Sequence, residues 1–96
     1  MFTTSTETLA RVHAEIVAVA REILREPELA IAPEDDLREQ LGLDSADLAE
    51  LLVMLEERLG VPLPERALIP SADWDPLATV DTLTRTVARE CDRARH

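Results

Sequence analysis

Only a few side chains in this sequence are of types that commonly do chemistry. Ser45 stands directly after Asp44 and before a leucine-rich helical pattern, where a serine hydroxyl can cap a helix or serve as a nucleophile. A nucleophilic serine needs a neighbouring base, and the two histidines, His13 and His96, are too far apart in sequence to suggest a site. Cys91 does not complete a zinc-ligand pattern with them. The sequence therefore predicts neither a hydrolytic triad nor a metal site.

The charge of the chain is concentrated in its central third. Twenty acidic residues against ten arginines give a net charge of −10. From Glu26 to Glu57 there are eleven acids and one base, Arg38, whereas the other 64 residues hold nine acids and nine arginines. This field repels phosphate backbones and anionic membranes, and the acids at 34–39 lack the spacing of a calcium loop. We therefore predict a basic protein partner rather than a nucleic acid, a membrane or a metal ion.

Length and composition limit the chain to one small domain. Its 96 residues, 46% of them hydrophobic, allow a single modest core and leave little room for a catalytic cleft. Gly42 and Gly60 are too far apart for a glycine-rich phosphate loop, and two aromatic residues, Phe2 and Trp74, are too few to stack on single-stranded nucleic acid. No apolar run exceeds five residues, so neither a signal peptide nor a membrane span is expected. With the single cysteine Cys91, a reducing cytoplasm is the expected location.

The N-terminal part of the chain has the pattern of an amphipathic helix. Thr4 and Glu7 have the spacing of a capping box, in which each side chain satisfies a backbone N–H near the helix start. Apolar residues then recur at steps of three and four, at Leu9, Val12, Ile16, Val19, Ala20 and Ile23. We predict a first helix that ends near Arg25, before Pro27, and a frayed start at 1–4.

A long acidic connection follows from Pro27 to Asp44, where the helical period lapses. A connection of this length with little regular structure is uncommon in compact domains and is usually functional. We predict a loop with a short helical turn at 35–41, held on the core by its aliphatic residues Ile31, Leu37, Leu41 and Leu43.

The central helix has the clearest pattern. Asp44 and Ser45 are both candidate N-caps, and Gly60 followed by two prolines ends the helix. One stripe is apolar and consists of Leu48, Leu51, Leu52, Leu55 and Leu59. The opposite face is acidic around one aliphatic residue and consists of Ala46, Glu50, Val53 and Glu57, flanked by Asp47, Met54 and Glu56. Such a face is often only solvated, but the excess of acids favours docking onto basic partners.

The last third of the chain begins with a turn-rich segment, 61–78, in which a short helix is expected to start near Pro64 or near Asp73. Its predicted buried contacts are Leu63, Leu68, Ile69, Trp74 and Leu77. Thr79 then caps a last helix, which frays over 93–96 and whose apolar residues are Val80, Leu83, Val87 and Cys91. The predicted fold is an all-α four-helix bundle with three longer helices and one short helix, in a single domain spanning 1–96.

The stretch 41–65 resembles the acyl carrier proteins. It contains a Gly-x-Asp-Ser opening that ends at Ser45, an acidic helix, Leu-Glu-Glu at 55–57 and a Leu-Pro-Glu exit at 63–65. An Asp-Ser pair alone would not indicate a family, but the pair together with all the following spacings is specific for this one. The order of long helix, long loop, helix, short helix and final helix also fits, so the resemblance covers most of the chain.

The resemblance implies that Ser45 is the attachment point of 4′-phosphopantetheine, transferred from coenzyme A by a separate phosphopantetheinyl transferase. A phosphodiester there would lie beside unpaired backbone N–H groups at the positive end of the helix dipole. An acyl or aminoacyl group would be held as a thioester on the arm, without catalysis by the chain. Asp44 would cap the helix, help to position metal-bound coenzyme A, or both. Loading and processing enzymes would dock their basic surfaces on Ala46, Asp47, Glu50, Val53, Glu56 and Glu57 of a monomer.

Two features depart from the fatty-acid members of this family. The residue after the serine is commonly Leu or Ile and is here Ala46, and the segment 66–78 with its Trp74 is unlike their short acidic third helix. The Gly-Gly-x-Ser pattern of peptidyl carriers is also missing. We therefore expect a free-standing carrier of a specialised pathway, such as polyketide synthesis. The alternative is an acidic helical adaptor that binds one basic partner and is never modified.

Overall fold

The computed structural model describes residues 5–94, and this part of the chain is all-helical. Helix α1 spans Thr6–Leu24, α2 spans Ser45–Leu59 and α3 spans Val80–Ala94. Between α2 and α3 lies a 3₁₀ helix of four residues, Glu65–Leu68. The three longer helices are therefore present as predicted, whereas the short fourth element is a single 3₁₀ turn and not an α-helix.

The start of α1 differs from the prediction by one residue. The N-cap is Ser5, whose Oγ accepts a hydrogen bond from the backbone N–H of Thr8 at 3.1 Å. Since the helix begins after Ser5, Glu7 is one position too early to form the predicted capping box, and Thr4 lies outside the described residues. The helix ends as predicted, with Arg25 in the left-handed conformation that commonly closes a helix (φ 58°). At the other end of the chain, positions 93 and 94, expected to fray, are still in α3, while 95–96 lie outside the described residues.

The three helices share one hydrophobic core, in which α1 packs against both α2 and α3. A cavity at one end is lined by the start of α1 (Thr8), the end of α2 (Leu59) and the end of α3 (Cys91). It follows that α2 and α3 run in the same direction and α1 runs opposite. Ser45 therefore lies at the other end of α2, about 21 Å from Leu59 by the rise of an α-helix.

The segment from 61 to 78 contributes fewer buried residues than its sequence suggested. Leu63 is buried, and Trp74 is only half-buried. Ile69, predicted to be buried, is 66% exposed, while Pro76, which was not predicted, is fully buried. The physical reason is that this segment has no helical or strand period to decide which side chains point inward, so packing against α3 decides it.

None of the helices within residues 5–94 is both long enough and apolar enough to cross a lipid bilayer.

Candidate functional site

The long connection before α2 is fastened to the start of α3. Backbone N–H groups of Leu37 and Val80 donate to the carbonyls of Ala78 and Asp35, at 3.1 and 3.0 Å. These bonds surround an isolated β-bridge between Asp36 and Thr79. No continuous helix forms at 35–41, but the backbone N–H of Gln40 donates to the carbonyl of Asp36 at 3.1 Å, which is the bond of a single helical turn. The short helical turn that the sequence predicted is thus present as one hydrogen-bonded turn, which begins at the bridge residue Asp36.

Asp36 organises the turns that follow the bridge. Its Oδ1 accepts hydrogen bonds from the backbone N–H groups of Arg38 and Glu39, both at 2.8 Å. Because these bonds stabilise the carboxylate, they hold the pKa of the Asp36 carboxyl below its ordinary value. The backbone N–H of Asp36 in turn donates to Oε1 of Gln40 at 2.6 Å. A loop without regular structure is therefore closed by several short-range bonds.

Ser45 is presented to solvent between two buried leucines. Leu43, anchored by its N–H to the Leu37 carbonyl at 3.0 Å, is 2% exposed, and Leu48 in the first turn of α2 is 4% exposed. The intervening residues 44–46 are exposed. Gly42 has a φ of 75°, a conformation that favours glycine and lets the chain turn between the buried side chains of Leu41 and Leu43. The buried leucines on either side therefore hold the loop on the core and leave Ser45 on the exposed side of the chain.

The cap of α2 is provided by Asp44 and not by Ser45. Oδ1 of Asp44 accepts from the backbone N–H of Asp47 at 2.8 Å, and Oδ2 of Asp47 accepts from the backbone N–H of Asp44 at 3.2 Å. This reciprocal pair is a capping box, which we did not predict although the Asp-x-x-Asp spacing is a sequence signal for it. Within the described residues, no hydrogen bond engages the Ser45 hydroxyl. The backbone N–H groups of Ser45 and Ala46 also have no acceptor there, as expected for the first turn of a helix.

The predicted outward face of α2 is present as one exposed surface. It consists of Ala46, Glu50, Val53 and Glu57, with the Val53 side chain 53% exposed. The flanking acids are engaged within the protein: Asp47 belongs to the capping box, and Oε2 of Glu56 accepts from the backbone N–H of Leu63 at 2.8 Å. We call the four exposed residues the acidic face.

Arg58 ends the acidic segment and turns away from the acidic face. Its guanidinium pairs with Oε2 of Glu15 at 3.5 Å and with the Glu22 carboxylate, both on α1. The acids of the exposed face thus receive no compensation from this arginine.

Other residues considered for chemistry are scattered. His13 is half-buried on α1, Cys91 is buried on α3, and His96 lies outside the described residues. Among residues 5–94, no group of three His, Cys, Asp or Glu side chains is placed to hold a metal ion.

The sequence of residues 14–89 matches the family model described as phosphopantetheine attachment site. An acyl carrier protein of Helicobacter pylori is 39% identical over 51 residues, which cover 53% of this chain and 65% of that protein. The acyl carrier protein MbtL of Mycolicibacterium paratuberculosis is 38% identical over 58 residues, 60% of this chain and 65% of that protein. The chain thus spans slightly less than two thirds of the length of these curated relatives. No solved structure gave a significant match.

The matched region, 14–89, includes most of α1, the long connection, all of α2 and most of α3. It therefore covers the helical core together with the segment that presents Ser45. The chain belongs to the acyl carrier protein family, whose members carry covalently attached 4′-phosphopantetheine.

Proposed function

We propose that this protein is a carrier that holds acyl or aminoacyl intermediates as thioesters on a 4′-phosphopantetheine arm attached to Ser45. The observation that carries the proposal is the Ser45 hydroxyl, which is exposed at the first position of α2 and engaged by no other residue of the described chain. A serine needed for the cap would lose that interaction on modification. Here Asp44 caps the helix, so Ser45 can form a phosphodiester at little cost to folding.

The surroundings of Ser45 suit the group it would hold. The backbone N–H groups of Ser45 and Ala46 can donate to phosphate oxygens, and the positive end of the helix dipole favours an anion there. Asp44 and Asp47 oppose this with two carboxylates, whose charge is partly offset because each accepts a backbone N–H. Asp44 remains exposed enough to assist in positioning metal-bound coenzyme A during modification.

The acidic face supports the second half of the proposal, the presentation of the cargo to enzymes. Glu50 and Glu57 flank the exposed side chain of Val53, so a basic surface with an apolar patch would complement this face. Asp47 and Glu56 border it and would contribute charge rather than direct contacts, because each carboxylate is already bonded within the protein. The proposed partners are a phosphopantetheinyl transferase and the enzymes that load and process the cargo, acting on a cytoplasmic monomer.

The decisive experiment is intact-mass measurement after incubation with coenzyme A and a broad-specificity phosphopantetheinyl transferase. We expect a gain of one phosphopantetheinyl group in the wild type and none in Ser45→Ala. Ser71→Ala is the matched control, because Ser71 is an exposed serine outside α2 and should leave the gain unchanged. If several transferases leave the wild-type mass unchanged, the alternative of an unmodified acidic adaptor for a basic partner replaces the carrier.

We further propose that the pathway is a specialised one, such as polyketide synthesis, and not general fatty-acid synthesis. The support is Ala46, which places a small side chain beside Ser45 where fatty-acid carriers commonly have Leu or Ile. Each additional methylene that a partner buries is worth about 0.8 kcal/mol. We therefore expect Ala46→Leu to raise transfer by a fatty-acid acyltransferase. Equal rates for the two proteins would remove this support.

A further inference from the structure

A groove of about 590 Å³ lies between the C-terminal half of α3 and the chain from Arg66 to Pro76. It is partly open to solvent, unlike the enclosed pockets that bury most of a small ligand. Within the described residues, no side chain of α2 lines it. The groove is therefore separate from both Ser45 and the acidic face.

The charge of this groove is opposite to that of the acidic face. Three arginines line it, and two of them, Arg66 and Arg89, are exposed and form no ion pair within residues 5–94. Arg93 pairs with the buried carboxylate of Glu90 at 3.4 Å. Asp73 is the fifth charged residue of the lining, so three arginines and two acids give a sum of +1 in a protein whose net charge is −10.

The distant acids weaken this local positive charge only slightly. The described chain measures 37 × 28 × 21 Å, whereas charges in physiological salt are screened over about 8 Å. An approaching group close to the groove therefore responds mainly to the charged residues that line it, which are three arginines and two acids.

The groove also offers exposed apolar surface. Two large hydrophobic residues of the described chain are exposed, Val53 and Ile69. Ile69 is the more exposed of the two, at 66%. Beside it, Trp74 is half-buried and held in place, because its Nε1–H donates to Oγ1 of Thr86 at 3.1 Å. A fixed tryptophan with neighbouring arginines is the composition typical of the centres of protein interfaces.

We propose that this groove docks an acidic segment of a partner protein that carries an apolar anchor residue. The carboxylates of that segment pair with Arg66 and Arg89, and the anchor packs against Ile69 and Trp74. Charge complementarity selects an acidic partner, and the open shape suits a peptide segment rather than a small molecule. The proposal is independent of the modification of Ser45, since no residue near Ser45 contributes to the groove.

The test uses Trp74, the only tryptophan of the chain, as a reporter inside the groove. A synthetic peptide with glutamates around a leucine pair is titrated while Trp74 emission and its indole N–H resonance are followed. Two further peptides serve as comparisons, one with lysines in place of the glutamates and one with serines in place of the leucines. We expect saturable changes with the Glu/Leu peptide alone, weakened by added salt.

Variants on two different elements test the arginines. Arg89→Glu on α3 and Arg66→Glu on the 3₁₀ turn should each weaken binding about tenfold or more. Arg85→Glu, an exposed arginine of α3 outside the groove, should leave binding unchanged, and far-UV circular dichroism checks that all three variants fold.

Three results would overturn the proposal. The Trp74 signals could stay constant up to millimolar Glu/Leu peptide, or the Lys/Leu or Glu/Ser peptide could bind as well as the Glu/Leu peptide. Arg85→Glu could also weaken binding as much as the two groove variants do. Ser45 plays no part in the titration. A peptide that does not bind would therefore not count against the carrier proposal, and a Ser45 that is not modified would not count against the docking proposal.

Discussion

Val53 and Ile69 are the two large hydrophobic side chains that residues 5–94 expose, and their surroundings carry opposite charge. Val53 lies on α2 between glutamates, whereas Ile69 lies at the groove with Arg66 and Arg89. Burial of an exposed apolar side chain stabilises any complex that covers it, while the charges around that side chain discriminate among partners. One domain of 96 residues can thus carry two surfaces that select different partners, because screening makes each surface electrostatically local.

The two regions also differ in how they are held. The start of α2 is fixed by bonds between near neighbours, above all the capping box of Asp44 and Asp47. The segment beside the groove is fixed by a side-chain bond that joins Trp74 to Thr86, twelve residues away. The cap of α2 depends on local sequence, whereas the position of the segment beside the groove depends on α3 being in place.

The largest expected effect is that a charge reversal on either surface impairs the activity of that surface and spares the activity of the other. Glu57→Arg should slow phosphopantetheinyl transfer about tenfold at low salt through weaker encounter, and should leave binding of the Glu/Leu peptide to the groove unchanged. Arg89→Glu should do the reverse. The measurements are transfer rates by intact mass and peptide titration of Trp74, for both variants. If either variant impaired both activities equally, the two surfaces would not be independent.

The next largest expected effect is the loss of stability when the cap of α2 is removed. Asp44→Ala removes the acceptor of the Asp47 N–H and should lower the free energy of unfolding by about 1 kcal/mol. Ser45→Ala should change it by less than about 0.5 kcal/mol, because the hydroxyl is exposed and caps nothing. Urea denaturation of both variants measures the difference. Equal losses would mean that Ser45 shares the cap, which would weaken the argument that it is reserved for modification.

A loss of comparable size is expected where the segment beside the groove meets α3. Trp74→Phe removes the indole N–H that donates to Thr86 and should cost about 0.5–1.5 kcal/mol of stability. In a Thr86→Val background the same substitution should cost less, since the bond is already absent. The four proteins form a double-mutant cycle, read out by urea denaturation. Strict additivity would show that the bond does not hold this segment.

The smallest expected effect is the pH dependence contributed by Asp36. Hydrogen bonds from two backbone N–H groups lower the pKa of this carboxyl in the folded protein. The stabilisation is therefore present above the unfolded pKa, near 4, and is lost as the pH falls through the lower folded pKa. The difference in thermal midpoint between the wild type and Asp36→Asn should shrink on acidification in that range. A difference that stayed constant from neutral to acidic pH would show that the charge of Asp36 contributes nothing.

Much of the fold and of the candidate site could be predicted because it depends on near neighbours in sequence. The steps of three and four between apolar residues indicated α1, α2 and α3, and Gly60 indicated where α2 ends. The same period placed Glu50, Val53 and Glu57 on one exposed face, since a helix fixes the direction of each side chain relative to its stripe. The capping box was equally local, and its spacing could have been recognised beforehand.

Features without such a period were decided only by tertiary structure. The bridge between Asp36 and Thr79, with the backbone bonds around it, holds the approach to Ser45 against the start of α3. The packing of residues 61–78 on α3 buried Pro76, exposed Ile69 and brought Arg66 to the same groove as Arg89. Local sequence determined the helices and the acidic face because the geometry of a helix relates residues three and four positions apart. The groove joins residues more than twenty positions apart, and only the packing of distant segments brings those together.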